Sequence, residues 1–223
     1  VTDTYLHRIQ SWTESRGMFL FENASDPGLG AGSFVWANSI PEYPNASQSI
    51  DANKPAVDSS GVYFYDVDRN NFIDFNVVIP QPYTVVALVK KYTDPPNTYI
   101  WFWDSSRTAL SDAHRFESIY DYVGVYAGIN PFKDALPLSP ATWTKIIVIA
   151  DGANTKTIVE GVEKITPGSI GTNGLDGFRI GNVCQTVSTR YSSHLYYNAI
   201  GVFAGALPAD KLSVIDSFLN ARR

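Results

Sequence analysis

Two short aromatic runs are the groups in this sequence best suited to bind a ligand. The first alternates Tyr99, Trp101 and Trp103 with Ile100 and Phe102. Because successive side chains of a strand point to opposite faces, the three polar-tipped aromatics share one face and the two apolar residues share the other. Such a row on the outer face of a sheet can stack on the apolar faces of sugar rings and still donate hydrogen bonds to hydroxyl groups. The pattern therefore predicts a ligand-binding surface.

The second run places Tyr120, Tyr122 and Tyr126 on one face, with Val123 and Val125 on the other. If the two strands pair, the two aromatic rows lie side by side. Two interpretations stay open for them. The rows bind a glycan, or they lie under a loop, the N-terminal arm or a neighbouring subunit.

Catalytic groups are harder to find. Glycoside hydrolysis usually needs two carboxyl groups at a fixed separation, and the nearest pair, Glu160 and Glu163, flanks a predicted turn. The histidines that a nucleophilic triad could use are His7, His114 and His194, and no Gly-x-Ser-x-Gly motif precedes any of them. We expect His114 and His194 at the surface, and we predict that the chain is not an enzyme.

One acidic segment resembles the start of a calcium loop. Asp66, Asp68 and Asn70 stand at positions 1, 3 and 5 of such a loop. The sixth position is Asn71 rather than glycine, and the twelfth is Val77 rather than glutamate, so the segment is not an EF-hand. We expect a turn stabilised by Asp and Asn side chains, with a calcium site as the alternative and no other cofactor.

Composition narrows the class of protein. The 223 residues carry 17 basic against 22 acidic side chains, for a net charge of −5, so a nucleic-acid partner is not expected. No apolar stretch approaches the length of about 20 residues that a membrane helix needs, so membrane insertion is not expected either. A charged fraction of 17% with 13% aromatic residues favours strands over exposed helices.

Short apolar runs separated by Gly, Pro and Asn or Asp predict an antiparallel β-sandwich rather than alternating strands and helices. The predicted strands are 62–65, 72–75, 83–89, 99–103, 118–127, 144–150, 156–159, 178–180 and 194–203. Residues 5–19 favour a short helix or arm, and residues 23–60 are rich in loop signals. A closing helix begins near Pro208 and presents an apolar stripe of Leu212, Ile215, Phe218 and Leu219.

Four segments resemble a known superfamily in their order and spacing. They are Ala52-Asn53-Lys54-Pro55-Ala56-Val57 with Gly61-Val62-Tyr63-Phe64, then Asp66–Phe75, then Trp143–Ile146 through Val159–Val162, and lastly Ala199–Leu219. Together they are similar to the concanavalin A-like lectin/glucanase superfamily, in its bacterial and phage laminin-G-like form. The chain departs from that pattern at Ala199 and Gly201, where the closing strand usually carries larger or acidic residues.

The resemblance covers residues 48–223 and implies two antiparallel sheets packed as a jelly roll, with a short C-terminal helix. Residues 1–47 are then an N-terminal arm and a loop-rich lead-in to the same domain. Glucanases of the superfamily carry a Glu-x-Asp-x-x-Glu string, which this sequence lacks. Many laminin-G-like domains bind calcium, which keeps that alternative open.

These observations predict a non-catalytic carbohydrate-binding or adhesion module of a phage or other virion surface or tail protein. The alternative is a structural virion protein, a capsid, decoration or tail component that uses the sandwich to pack against partners. A glycan hydrolase is the third hypothesis. The expected partners are a glycan or neighbouring protein subunits, including copies of the same chain. The expected location is extracellular or on a virion surface.

Overall fold

The computed structural model describes residues 2–25, 32–50, 53–64, 71–91, 100–105, 114–119, 122–128, 132–135, 138, 142–165, 170–182 and 194–223. Within these ranges the chain is mostly strand, with a helix at each end, α1 (Thr2–Gln10) and α2 (Ala209–Asn220). Neither helix is long and apolar enough to cross a membrane.

Sixteen strands lie between the two helices in the described ranges. The first eight are β1 (Ser15–Ser25), β2 (Phe34–Asn38), β3 (Ala46–Gln48), β4 (Ala56–Asp58), β5 (Gly61–Phe64), β6 (Ile73–Ile79), β7 (Tyr83–Lys91) and β8 (Ile100–Asp104). The others are β9 (His114–Ile119), β10 (Tyr122–Ala127), β11 (Phe132–Ala135), β12 (Thr144–Ala150), β13 (Lys156–Val159), β14 (Val162–Ile165), β15 (Leu175–Ile180) and β16 (Leu195–Ala204).

The strands form one continuous antiparallel sheet whose order is β11-β10-β9-β8-β15-β6-β3-β2-β1-β16-β7-β12-β13-β14, with β5 joining β16 and β4 joining β5. The long strand β1 connects the two halves of this order. Its first part, from Ser15 to Leu20, pairs with β16, and its last two residues pair with β2. The register shifts between Phe19 and Ala24, as expected of a strand that passes from one partner to the next.

The main core takes side chains from both halves of the sheet. Phe75 on β6 and Phe178 on β15 lie in the same buried cluster as Val85 on β7 and Ile146 on β12, although four strands separate β6 from β7 in the sheet order. The Tyr197 hydroxyl on β16 also donates a hydrogen bond of 2.7 Å to the carbonyl oxygen of Phe102 on β8. The two halves therefore enclose a common core.

A second core lies on the other side of β7. Val86 and Leu88 alternate with the main-core residues of this strand and pack with the apolar side of the helices, which includes Ile9 of α1 and Phe218 of α2. Strand β7 is thus buried on both faces, as its continuous apolar sequence predicts. Two ion pairs hold α2 in place, Lys145 of β12 with Asp216 and Lys211 with Glu14 in the turn between α1 and β1.

An all-β, antiparallel fold with a C-terminal helix is confirmed, and several elements match closely. Strands β12 and β13 have the predicted bounds, and a single 3-10 turn at Gly152–Asn154 joins them. The lead-in differs from the prediction, because β1 to β4 lie where a helix or arm and loops were expected. The Pro and Gly residues of this region favour a prediction of loops, although pairing with other strands stabilises strands there.

Candidate functional site

A cavity of about 390 Å³ lies where α1 ends and β1 begins. This volume falls in the range of roughly 300–1,000 Å³ that is usual for small-molecule sites. One wall is the segment from the last turn of α1 to the start of β1, and the other is the turn between β2 and β3. The lining residues are Gln10, Ser11, Trp12, Thr13, Ser15, Arg16, Glu42 and Tyr43.

Arg16 reaches the cavity because it lies in an irregularity of β1. Both of its neighbours, Ser15 and Gly17, are buried, and the register against β16 shifts between them. Such bulges redirect one side chain away from the regular alternation of a strand. Gly17 is required here, since an added Cβ would lie 2.8 Å from the Phe19 ring. Arg16 therefore points outward, while Gly17 next to it packs closely against the Phe19 ring.

The Arg16 guanidinium is fixed in place by the protein itself. Its Nη1 donates hydrogen bonds to the carbonyl oxygens of Thr13 at 2.6 Å and Ser15 at 3.0 Å. The Cζ atom of Arg16 lies 5.3 Å from the centre of the Tyr43 ring, in a cation–π contact. No carboxylate pairs with this arginine in the part of the chain that the structure describes. The Nε and Nη2 groups therefore remain as a preoriented edge of the kind that binds a carboxylate in two parallel hydrogen bonds.

Two half-buried aromatic residues form the apolar part of the cavity lining. Tyr43 packs against both cores, and Trp12 lies 6.1 Å from Phe203, centre to centre. The Lys211 ammonium on α2 stands 5.3 Å from the centre of the Trp12 ring. The cavity thus combines a guanidinium edge, two aromatic residues, the exposed carboxylate of Glu42 and the amide of Gln10. A combination of apolar rings with a few polar groups is common in small-molecule sites.

Asn38 joins the two walls of the cavity. Its Nδ2 donates to the carbonyl oxygens of Arg16 and Pro44, both at 3.2 Å. Its Oδ1 accepts hydrogen bonds of 3.0 Å from the backbone N–H groups of Met18 and Ile40. One side chain therefore holds the β1 bulge and the β2–β3 turn at a fixed spacing.

Replacing Asn38 by alanine should lower the free energy of unfolding by about 1–3 kcal/mol, because several backbone groups lose their partner at once. Urea unfolding measures this change. Asn154 is exposed in the turn between β12 and β13, and its Nδ2 makes a long hydrogen bond of 3.4 Å to Asp151. It provides a matched control, since Asn154→Ala should stay within about 0.5 kcal/mol of wild type. Equal stability of the two variants would show that Asn38 does not hold the cavity walls together.

The structure describes only part of the predicted aromatic surface. Tyr99 and Tyr120 lie outside the described residues, and for Trp101, Tyr122 and Tyr126 only the backbone, on β8 and β10, is described. Trp103 differs from its expected surface position, since it is 1% exposed and packs 6.2 Å from the Phe178 ring.

The physical reason is a break in the alternation of β8. The register against β9 shifts between Trp101 and Trp103, so that Phe102 and Trp103 are both buried. Trp103 is therefore a core residue, and it does not offer a ring face to a surface ligand. The rest of the predicted surface stays a prediction.

The calcium alternative is not tested by the structure, and one of the histidines differs from its predicted position. Asp66, Asp68 and Asn70 lie outside the described residues, and no group of three or more His, Cys, Asp or Glu within the described ranges could hold a metal ion. His194 is 4% exposed and not at the surface as expected. It precedes β16 with a φ of 48°, in the left-handed region that few residues other than glycine adopt.

Solved structures with a similar fold exist, although no protein-family model and no curated protein matches this chain. A Trypanosoma rangeli sialidase in complex with sialic acid has a TM-score of 0.65 and 10% identity, over 98% of this chain and 37% of that one. A second structure of a T. rangeli sialidase, with a difluoro-KDN ligand, has a TM-score of 0.67 over 99% of this chain and 38% of that one. The NanB sialidase from Streptococcus pneumoniae has a TM-score of 0.55 and 18% identity, over 69% of this chain and 27% of that one.

These similarities correct two predictions. The solved structures that share this fold are sialidases, which are glycan hydrolases, and this finding contradicts the predictions of a non-catalytic carbohydrate-binding or adhesion module and of a chain that is not an enzyme. The concanavalin A-like assignment is not confirmed, and nothing found supports a phage or virion context. This chain spans just over a third of the T. rangeli proteins, and at 10% identity the similarity is one of fold.

Proposed function

We propose that this chain binds sialic acid as part of a sialidase-like glycoside hydrolase. The observation that carries the proposal is the preoriented Nε–Nη2 edge of Arg16 in a cavity of about 390 Å³. The similarity of fold to sialidases supports it from an independent direction.

Sialic acid differs from most sugars in carrying a carboxylate, which is ionised at neutral pH. A planar guanidinium matches the geometry of a carboxylate and binds it through two parallel hydrogen bonds. Because the Thr13 and Ser15 carbonyls and the Tyr43 ring already hold Arg16, a ligand pays little of the entropy of ordering this side chain. The carboxylate is therefore the part of the sugar that we place against Arg16.

The other lining groups fit the rest of the molecule. The Glu42 carboxylate can accept hydrogen bonds from sugar hydroxyls, and the Trp12 and Tyr43 rings can contact its C–H groups. Gln10 is held by a hydrogen bond of 2.6 Å from its Nε2 to the carbonyl oxygen of Ser39, so its Oε1 is the atom that remains for a ligand donor. These contacts favour an anionic sugar over a simple carboxylic acid.

The shared core supports a finer proposal for the fold. The two halves of the sheet would form the two layers of a jelly-roll sandwich, with residues 48–223 as its body and residues 1–47 contributing to the same domain. The contribution of Phe75 and Val85 to one cluster supports this arrangement. An extracellular location, where sialylated glycans are displayed, is part of the same proposal.

Isothermal titration calorimetry with sialyllactose, and with lactose as the matched ligand without the carboxylate, tests the function. We expect a Kd for sialyllactose on the order of 1 mM to 1 μM, and at least tenfold weaker binding of lactose. Equal affinity for the two sugars, or no binding of either, would contradict the proposal.

A further inference from the structure

An ion pair joins α2 to the turn that forms one wall of the cavity lined by Arg16, called here the Arg16 cavity. The Lys211 ammonium on α2 is 2.5 Å from the Glu14 carboxylate, in the turn between α1 and β1. Both side chains are largely shielded, with 23% and 29% of their surface exposed. Lys211 also stands over the Trp12 ring, so one side chain of α2 touches two residues of the turn.

The sequence position of Glu14 makes its charge important for the cavity. It lies between Thr13 and Ser15, which line the cavity and hold Arg16, yet Glu14 itself is not among the lining residues. Its carboxylate is directed to α2, while its backbone carbonyl accepts a 2.7 Å hydrogen bond from Ala204. The hydrogen bond from Lys211 lowers the pKa of Glu14, so the carboxylate is ionised at neutral pH.

An unpaired carboxylate two residues from Arg16 would repel an anionic sugar. With Lys211 in place the two charges offset each other, and Arg16 and Glu42 are left as the charged lining residues. Without Lys211 the surroundings of the cavity carry one more net negative charge. Because the pair is partly shielded, solvent screens this charge less than it screens a fully exposed one.

We propose that the Lys211–Glu14 ion pair determines the charge selectivity of the Arg16 cavity, so that the cavity accepts a sugar carboxylate. Lys211 and Glu14 act through the field in the cavity and are positioning residues rather than ligand contacts. This inference rests on the proposed binding of sialic acid.

Three variants test it by calorimetry with sialyllactose in low-salt buffer. Lys211→Met keeps an unbranched side chain over Trp12 but removes the charge, and should weaken binding on the order of three- to tenfold. Glu14→Gln should strengthen binding by a similar factor. The double variant should bind within twofold of wild type, and all differences should shrink in 0.5 M salt.

A structural role for Lys211 would give a different pattern. If the residue only held the Trp12 ring, the double variant would bind as weakly as Lys211→Met, Glu14→Gln would not strengthen binding, and salt would have no effect on the differences. Any of these results overturns the inference.

The exposed pair of Lys156 and Glu163 on the β13–β14 hairpin provides matched controls. Lys156→Met changes the net charge as Lys211→Met does, and Glu163→Gln changes it as Glu14→Gln does, but both should leave binding unchanged. A control effect as large as that at Lys211 would also overturn the inference, since net charge alone would then explain it. If the wild-type protein does not bind sialyllactose, both the proposed function and this inference fail. If the wild type binds and the three variants bind with the same affinity as the wild type, only this inference fails.

Discussion

Replacing Arg16 by alanine is expected to weaken sialyllactose binding by about 30-fold or more. The variant loses two charge-assisted hydrogen bonds and leaves the sugar carboxylate without a partner in the cavity. The fold should be retained, because Arg16 is half-buried at a bulge and belongs to neither core. Calorimetry measures the affinity, and thermal unfolding checks the fold.

Two further variants make the Arg16 result specific. Arg16→Lys keeps the charge but has no fork to match a carboxylate, so an intermediate affinity is expected. Arg8→Ala removes an exposed arginine from the neighbouring helix α1 and should leave the affinity unchanged. If Arg16→Ala binds as tightly as wild type, the carboxylate does not bind at this residue.

Replacing Phe218 by alanine is expected to lower the free energy of unfolding by about 3–5 kcal/mol. The ring is fully buried in the second core, where it packs between α2 and the sheet. Its loss leaves a cavity under the helix that carries Lys211. Urea unfolding measures the change, and the exposed Ser213→Ala on the same helix is the control, with an expected effect within about 0.5 kcal/mol.

A Phe218→Ala protein as stable as Ser213→Ala would mean that α2 does not dock on the sheet. In that case the Lys211–Glu14 ion pair would also lose its structural basis, since α2 supplies one of its partners. Helix α2 therefore contributes both to the free energy of unfolding, through Phe218, and to the charge near the cavity, through Lys211.

The regular parts of the fold were predictable because their sequences contain strong local signals. Strands β12 and β13 have the predicted bounds, since their apolar runs meet at an Asp-Gly turn. The next turn, at Glu160 and Gly161, has φ angles of 52° and 79°, which match a tight hairpin. The apolar stripe of α2 is confirmed as well, with Ile215, Phe218 and Leu219 fully buried.

Irregular backbone explains what the sequence could not predict. A register shift in β8 moved Trp103 from the expected surface row into the core, and alternation alone cannot reveal such a shift. Another shift turned Arg16 outward, in a segment that was predicted to form a short helix or arm. The candidate site also combines residues 10–16 with residues 42 and 43, which only tertiary structure brings together. The pair Arg16-Gly17 interrupts the helical spacing of the preceding residues, but this interruption did not predict a bulge.

The proposed function could not be predicted from the sequence for a related reason. The absence of an acid pair argued against hydrolysis, but that argument assumed that the whole reaction would be visible in this chain. The similar sialidases are almost three times as long as the part that this chain matches. Substrate recognition and bond cleavage need not be contributed by the same stretch of such a protein.

A crystal structure of the protein soaked with sialyllactose tests the central claim most directly. The account predicts that the sialic acid carboxylate lies within hydrogen-bond distance of Nε and Nη2 of Arg16, with the sugar ring against Trp12 or Tyr43. A sugar bound elsewhere would contradict the account, and a sugar on the β8–β10 face beside Trp101 and Tyr122 would instead support the surface predicted from the aromatic rows.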